Sequence, residues 1–284
     1  MKSFNVQALS IALSFLLIFS NCNKSKDSQT SMPRIASDAD LKLLPKDLGG
    51  VHTPVYLTNN LVYGYYIYTP SGYADNQVHY PALIFLHGSG EVGNSMVKQS
   101  DLQKILAYGP PSMINKKNWA PRYPMIVISP QCGFKFKPDS LNNFIKYIVS
   151  QYRIDIHRIY LTGLSTGGSD TYNYLSKFSS NGYIAASVPM SAGFDKQPDV
   201  SNLINLPIWN FCGESDDTKI QQDINIVSDI NQNSPSLKAK ITTFPGVGHN
   251  CWDITYTGSG MGKENKSHDA FNMSIYDWMF QYIK

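Results

Sequence analysis

Long apolar runs are scarce in this chain of 284 residues, and the one near its start is short. Residues 8–19 are apolar except for Ser10 and Ser14, which falls below the ~20 residues a helix needs to cross a bilayer. Cysteine is sparse too. There are 4 in all with no Cys-x-x-Cys, and the 6 histidines are scattered with no His-x-x-x-His. Those spacings hold zinc, so neither a metal nor any other cofactor is expected. An excess of charge is also missing: 24 basic residues face 21 acidic ones, for a formal net charge of +3. So mild a balance, without a basic cluster interleaved with aromatics, excludes a nucleic-acid partner. No internal repeat and no second domain can be found.

What the chain does have begins at its N-terminus. Lys2, the apolar stretch 8–19 and Ser20-Asn21-Cys22 describe a secretory signal over residues 1–21. Cys22, followed by polar residues, resembles the lipidated first residue of a bacterial lipoprotein. Plain secretion with an unimportant Cys22 is the other reading. Either way an extracytoplasmic place in the cell envelope is expected. Membrane contact would come only through a lipid on Cys22. Removing the leader takes away one of the 24 basic residues and no acidic one, leaving +2. Residues 22–50, rich in Ser, Asp and Lys, read as a polar tether. Residues 51–284 are enough for one large α/β domain.

The chemistry is concentrated at Gly163-Leu164-Ser165-Thr166-Gly167, directly after the apolar run Ile159 to Leu161. A serine hydroxyl is a poor nucleophile. A hydrolase must present it on a sharp strand-to-helix turn, beside a base and near backbone donors. Glycines flank such a turn because neighbouring backbone comes too close for a Cβ. Two partners follow in order. Asp216 lies just past the apolar run 206–212, where a carboxylate can orient an imidazole. His249 lies in the glycine-rich loop after the β-prone run 239–244, where a general base is expected. Taken singly, each has a bland explanation: a decorative pentapeptide, a turn aspartate and a solvated loop histidine. The order Ser165, Asp216, His249 matches the α/β-hydrolase fold and neither the chymotrypsin nor the subtilisin order. Asp216 is preferred to Asp217, which reads as the cap of a helix starting at Thr218.

An oxyanion needs two backbone donors. The reading assigns the N–H of Thr166, after the nucleophile, and the N–H of Ser89, with Gly88 next. Gly88 to Gly93 also fits Gly-x-Gly-x-x-Gly, but the next strand ends in Pro130-Gln131-Cys132 without the acidic residue a dinucleotide site wants.

Strands are expected at 61–69, 82–87, 125–129, 159–162, 184–190, 207–212 and 239–244. Between them run helical faces such as Leu141, Phe144, Ile145, Ile148 and Tyr152, or Ile220, Ile224, Val227 and Ile230. Phe271, Ile275, Trp278, Met279 and Tyr282 predict a final helix. Apolar strands alternating with amphipathic helices specify a mostly parallel twisted sheet covered on both faces. Residues 94–120 read as a helix and lid-like loop over the site. Cys212 and Cys251 fall in loops that should be neighbours, and both a disulfide and buried free thiols remain open, as they do for Cys132.

Four segments carry a family resemblance: Phe85 to Glu91 with Gly93, Ile126 to Cys132, Arg158 to Ser165, and Gly246 to Trp252. Over roughly residues 60–284 the chain resembles the secreted α/β-hydrolases related to polyhydroxybutyrate depolymerases and to feruloyl and acetyl-xylan esterases. Many of these are labelled predicted peptidases or carboxylesterases. The resemblance implies Ser165, Asp216 and His249 as a triad, and Thr166 departs from the Met that relatives often carry. The expected function is hydrolysis of a carboxylic ester, of a small molecule or an oligosaccharide, through an acyl-enzyme. A serine peptidase or amidase on the same residues, and a non-catalytic surface binding protein, are the rival readings. Trp252 is either a stacking platform for a sugar or aromatic acyl group, or packing under the histidine loop.

Overall fold

The computed structural model describes residues 32–56, 63–179, 181–217 and 219–284. The expected leader and Cys22 lie outside the described residues. In chain order the strands are β1 (Arg34–Ile35), β2 (Val51–Val55), β3 (Tyr65–Thr69), β4 (Tyr80–Leu86), β5 (Ile126–Pro130) and β6 (Ile154–Leu164). They continue with β7 (Ile184–Met190), β8 (Trp209–Gly213), β9 (Lys240–Phe244) and β10 (Tyr282–Ile283). The helices are α1 (Gly109–Asn115), α2 (Pro138–Gln151), α3 (Thr166–Phe178), α4 (Ile220–Gln232), α5 (Trp252–Tyr256) and α6 (Ile275–Met279).

One sheet of 8 strands, in the order β2-β3-β5-β4-β6-β7-β8-β9, organises the domain. From β5 to β9 every pairing is parallel, while β2 and β3 form an antiparallel edge. The central strands β4 and β7 are buried along their whole length, as continuous apolar runs require when both faces are covered. Leu141, Phe144, Ile145 and Ile148 of α2, Tyr172 of α3 and Ile226 of α4 fill one face. Ile114 of α1, Trp252 and Tyr256 of α5, and Ile275, Trp278 and Met279 of α6 fill the other. With the strands parallel, their carboxyl ends gather on one rim, where ligands of such sheets bind.

Three features differ from the sequence reading. Residues 32–50 lie against the domain and do not form a free tether. β1 pairs antiparallel with β10, Leu41 is buried, and Arg158 is ion-paired with Asp40. Charge made this stretch look like linker, but Asp38, Asp40 and Asp47 are bound by Tyr123, Arg158 and Tyr68 of the body. The final helix is shorter than its apolar face suggests. Phe271, Ile275, Trp278, Met279 and Tyr282 are all buried, yet only Ile275–Met279 is helical. Ahead of it, Asp269 is bound to β9, its N–H donating to the Ile241 carbonyl at 2.8 Å. Ser274 then caps the helix, and Tyr282 leaves it to pair with Ile35. Finally, residues 94–120 are packed, with Leu102 and Ile105 buried against Tyr66, and α1 among them.

Candidate active site

β6 ends at Leu164 and α3 starts at Thr166, so Ser165 alone makes the turn between them. Its backbone sits at φ 54°, ψ −121°, a conformation few residues other than glycine accept. Two hydrogen bonds hold it there: the Ser165 N–H donates to the Met190 carbonyl at 2.9 Å, and its carbonyl accepts from the Ser169 N–H at 3.1 Å. The flanking glycines are required by close approach. A Cβ on Gly163 would fall on the Gly167 carbonyl, and one on Gly167 would fall on the carbonyls of Leu86 and His87.

The loops after β8 and β9 bring the other two groups to the same rim. The Ser215 N–H donates to the Val247 carbonyl at 2.8 Å, tying the aspartate loop to the histidine loop. Ser191 Oγ donates to the His249 carbonyl at 2.8 Å. His249 then lies with Nδ1 at 2.6 Å from Asp216 Oδ2 and Nε2 at 2.8 Å from Ser165 Oγ. An ionised carboxylate only accepts, so Nδ1 carries the proton and Nε2 is left to accept from the serine hydroxyl. That arrangement can draw the proton off the hydroxyl as it attacks. Asp216 is buried, whereas the His249 side chain is 41% exposed, so the hydroxyl faces an accessible rim. Asp217 makes no bond to the imidazole among the described residues, and α4 begins at Ile220 with Lys219 at its cap. The expected helix start at Thr218 lies outside the described residues.

The segment after β4 is fastened more tightly than its glycines suggest. Buried His87 donates from Nδ1 to the Gly88 carbonyl at 2.7 Å and accepts at Nε2 from the Cys132 N–H at 3.1 Å. Glu91, also buried, accepts the Gly88 N–H at 2.9 Å. Desolvation raises the Glu91 pKa, and the donated N–H groups partly oppose the rise. Gln131 Nε2 donates to the Glu91 carbonyl at 3.1 Å. Because Glu91 occupies the Gly88 N–H, Gly88 has no donor to offer. The N–H groups of Ser89 and Thr166 have no acceptor among the described residues, and the two segments touch: a Cβ on Gly88 would sit 3.4 Å from Ser165 Cβ. His87, Glu91 and Gln131 were not singled out individually from the sequence. The one local signal was the glutamate three residues after Gly88, the spacing of a capping box.

The Gly-x-Gly-x-x-Gly stretch holds no dinucleotide cradle. It opens a single three-residue turn, Ser89–Glu91, with the Glu91 carboxylate bonded where a phosphate would be wanted. Trp252 is buried, edge-on to the His249 ring at 5.3 Å and to Tyr108 at 5.7 Å, so it supports the histidine loop. Cys132, Cys212 and Cys251 are free, buried thiols, and burial pushes both Cys132 and Cys251 up to about 12. A cavity of about 1220 Å³ runs between residues 41–54, β3 and residues 106–124. It touches none of Ser165, Asp216 and His249.

Burial lowers the His87 pKa to about 4, with the Gly88 carbonyl opposing. In the unfolded chain an imidazole protonates near ~6.5. Between those values the unfolded state holds the extra proton, so stability is lost as pH falls from about 6.5 to 4. At pH 4.5 this one group should account for roughly 2–3 kcal/mol. Urea unfolding at pH 7 and pH 4.5 should show a smaller pH difference in His87→Gln, by about that amount; equal differences would deny the burial effect.

Comparison with family models finds no match, and comparison with curated proteins finds none either. Solved structures do match. A thermostable esterase superposes with a TM-score of 0.58 at 22% identity over 83% of this chain, which spans 63% of that protein's length. The feruloyl esterase module of Clostridium thermocellum gives a TM-score of 0.53 at 17% identity, covering 82% of this chain and 92% of the module. S-formylglutathione hydrolase from Staphylococcus aureus gives 0.55 at 14%, covering 84% and 100%. The chain has the α/β-hydrolase fold. In an α/β-hydrolase the turn after the central strand, here Ser165, stands at the carboxyl rim, and loops from later strands reach it. Asp216 and His249 occupy those loops.

Proposed function

We propose that the chain is a serine-dependent carboxylic ester hydrolase working through an acyl-enzyme. The observation that carries the reading is the single imidazole bridging Ser165 Oγ and Asp216 Oδ2 at 2.8 and 2.6 Å. In this reading His249 takes the Ser165 proton as Oγ attacks the acyl carbon. Asp216 holds the ring in the needed tautomer and stabilises the imidazolium. The N–H groups of Thr166 and Ser89 meet the developing oxyanion. Protonated His249 gives its proton to the departing alcohol, and water repeats the sequence on the acyl-enzyme. The esterases among the structural neighbours support an alcohol over an amine as the leaving group. Both would use the same three side chains.

A fluorophosphonate probe tests the reading directly. Ser165 should be labelled stoichiometrically, with p-nitrophenyl acetate hydrolysed and peptidyl anilides left intact. A protein that is not labelled and turns over none of these would be a binding scaffold. Cleavage of the anilides in preference to the esters would move the assignment to a peptidase.

A further inference from the structure

A second, smaller cavity begins where the nucleophile ends. It measures about 210 Å³, has mostly polar walls, and is lined by Thr166 together with Lys135, Asp170, Gly193, Lys196 and Lys219. Thr166 follows Ser165 directly and the Lys219 N–H donates to the Asp216 carbonyl at 3.0 Å, so the cavity lies beside the reacting centre, although Ser165, Asp216 and His249 do not themselves line it. Its size, below that of ordinary small-molecule pockets, suits a compact polar group and not a long acyl chain.

The charges in it are unevenly matched. Lys135 Nζ is paired with Asp195 Oδ2 at 3.0 Å. Asp170 is buried and its Oδ2 already accepts the Phe136 N–H at 2.8 Å. Neither Lys196 nor Lys219 has an acidic partner among the described residues. Lys219 is half-buried and its ammonium lies directly against Gly193, where a Cβ would collide with Nζ. An ammonium without a carboxylate of its own at the wall of a polar cavity is available to meet an anion.

We propose that this cavity is a subsite for a carboxylate carried by the ester substrate, bound chiefly by Lys219 with Lys196 at its mouth. The proposal rests on the ester-hydrolase reading and narrows it to acidic esters. The carboxylate can belong to the acyl part, as in a hemiester of a dicarboxylic acid. It can equally belong to the alcohol part, as in an acylated hydroxy acid or uronic acid. Asp170 and Asp195 set the limit on affinity, since their carboxylates share the wall. Ionic contacts at a partly open site are weakened by salt, so the preference should shrink as salt rises.

The experiment compares p-nitrophenyl hemisuccinate with p-nitrophenyl butyrate, and O-acetyl-lactate with ethyl acetate, at low and high salt. In one pair or the other the acidic ester should be favoured by about tenfold in kcat/KM at low salt, a size set by one charge-assisted contact. The favoured pair identifies the acyl or the alcohol side. Lys219→Gln should cut that ratio about fivefold or more, and the double variant with Lys196→Gln should abolish it. Equal rates within both pairs, or a ratio that survives the double variant, would overturn the subsite. Succinate binding by calorimetry to Ser165→Ala protein, with and without Lys219→Gln, needs no turnover. Loss of binding in the second protein supports the subsite even if no ester is cleaved, and unchanged or absent binding refutes it. Failure of every ester together with retained succinate binding would count against the hydrolase reading alone.

Discussion

Replacing Ser165 by alanine should lower kcat/KM for p-nitrophenyl acetate by about 10⁴–10⁶-fold while leaving the protein folded. Losses of that size accompany removal of the nucleophile from a serine triad, because acyl transfer to the enzyme is then impossible. What remains comes from backbone donors and binding. Folding should survive, since Ser165 is anchored by its own N–H and carbonyl and its hydroxyl bonds only the half-exposed His249. The two neighbouring aspartates sharpen the test. Asp216→Asn keeps the shape but favours the wrong imidazole tautomer, and about a 10³–10⁴-fold loss is expected. Asp217→Asn, which touches neither partner, should stay within about threefold of the parent, as expected of a surface substitution. A protein retaining most activity without the Ser165 hydroxyl would end the acyl-enzyme reading, whatever the geometry of the three groups.

Gly167→Ala should destabilise the domain by about 3 kcal/mol or more, near the top of the range for overpacking. The new methyl would be driven into the carbonyls of Leu86 and His87, the last residues before the Gly88–Gly93 loop. Backbone at the end of a central, fully buried strand cannot step aside without breaking sheet hydrogen bonds. The chain relaxes by lifting the first turn of α3, which carries the Thr166 N–H away from Ser89. Activity should therefore fall further than stability. Gly90→Ala provides the contrast: nothing lies within 4 Å of its added Cβ, so unfolding by urea should change by no more than about 0.5 kcal/mol. If Gly167→Ala unfolds at the parental urea midpoint, the close contact between α3 and the end of β4 is not real.

Much of this architecture could be read along the chain because it is written in local patterns. Apolar runs placed β4, β5, β7, β8 and β9 within a few residues, and the 3.6-residue faces of α2 and α4 located those helices. Local pattern failed where partners lay elsewhere. The face of Phe271 to Tyr282 is apolar at helical spacing, but Asp269 and Tyr282 are claimed by β9 and β1 at its two ends. Residues 32–50 look like linker because their ion pairs are with Arg158 and other residues distant in sequence.

By itself the sequence determined the fold class and the order in which the three polar groups appear, since periodicity and chain order are one-dimensional properties. It could not determine that His249 stands 2.6 Å from Asp216 and 2.8 Å from Ser165, linking the two. Nor could it show that Glu91 occupies the Gly88 N–H, leave the three thiols unbridged, or set Lys219 against Gly193. Those are distances between residues many positions apart, and only packing of the strands and their loops fixes them.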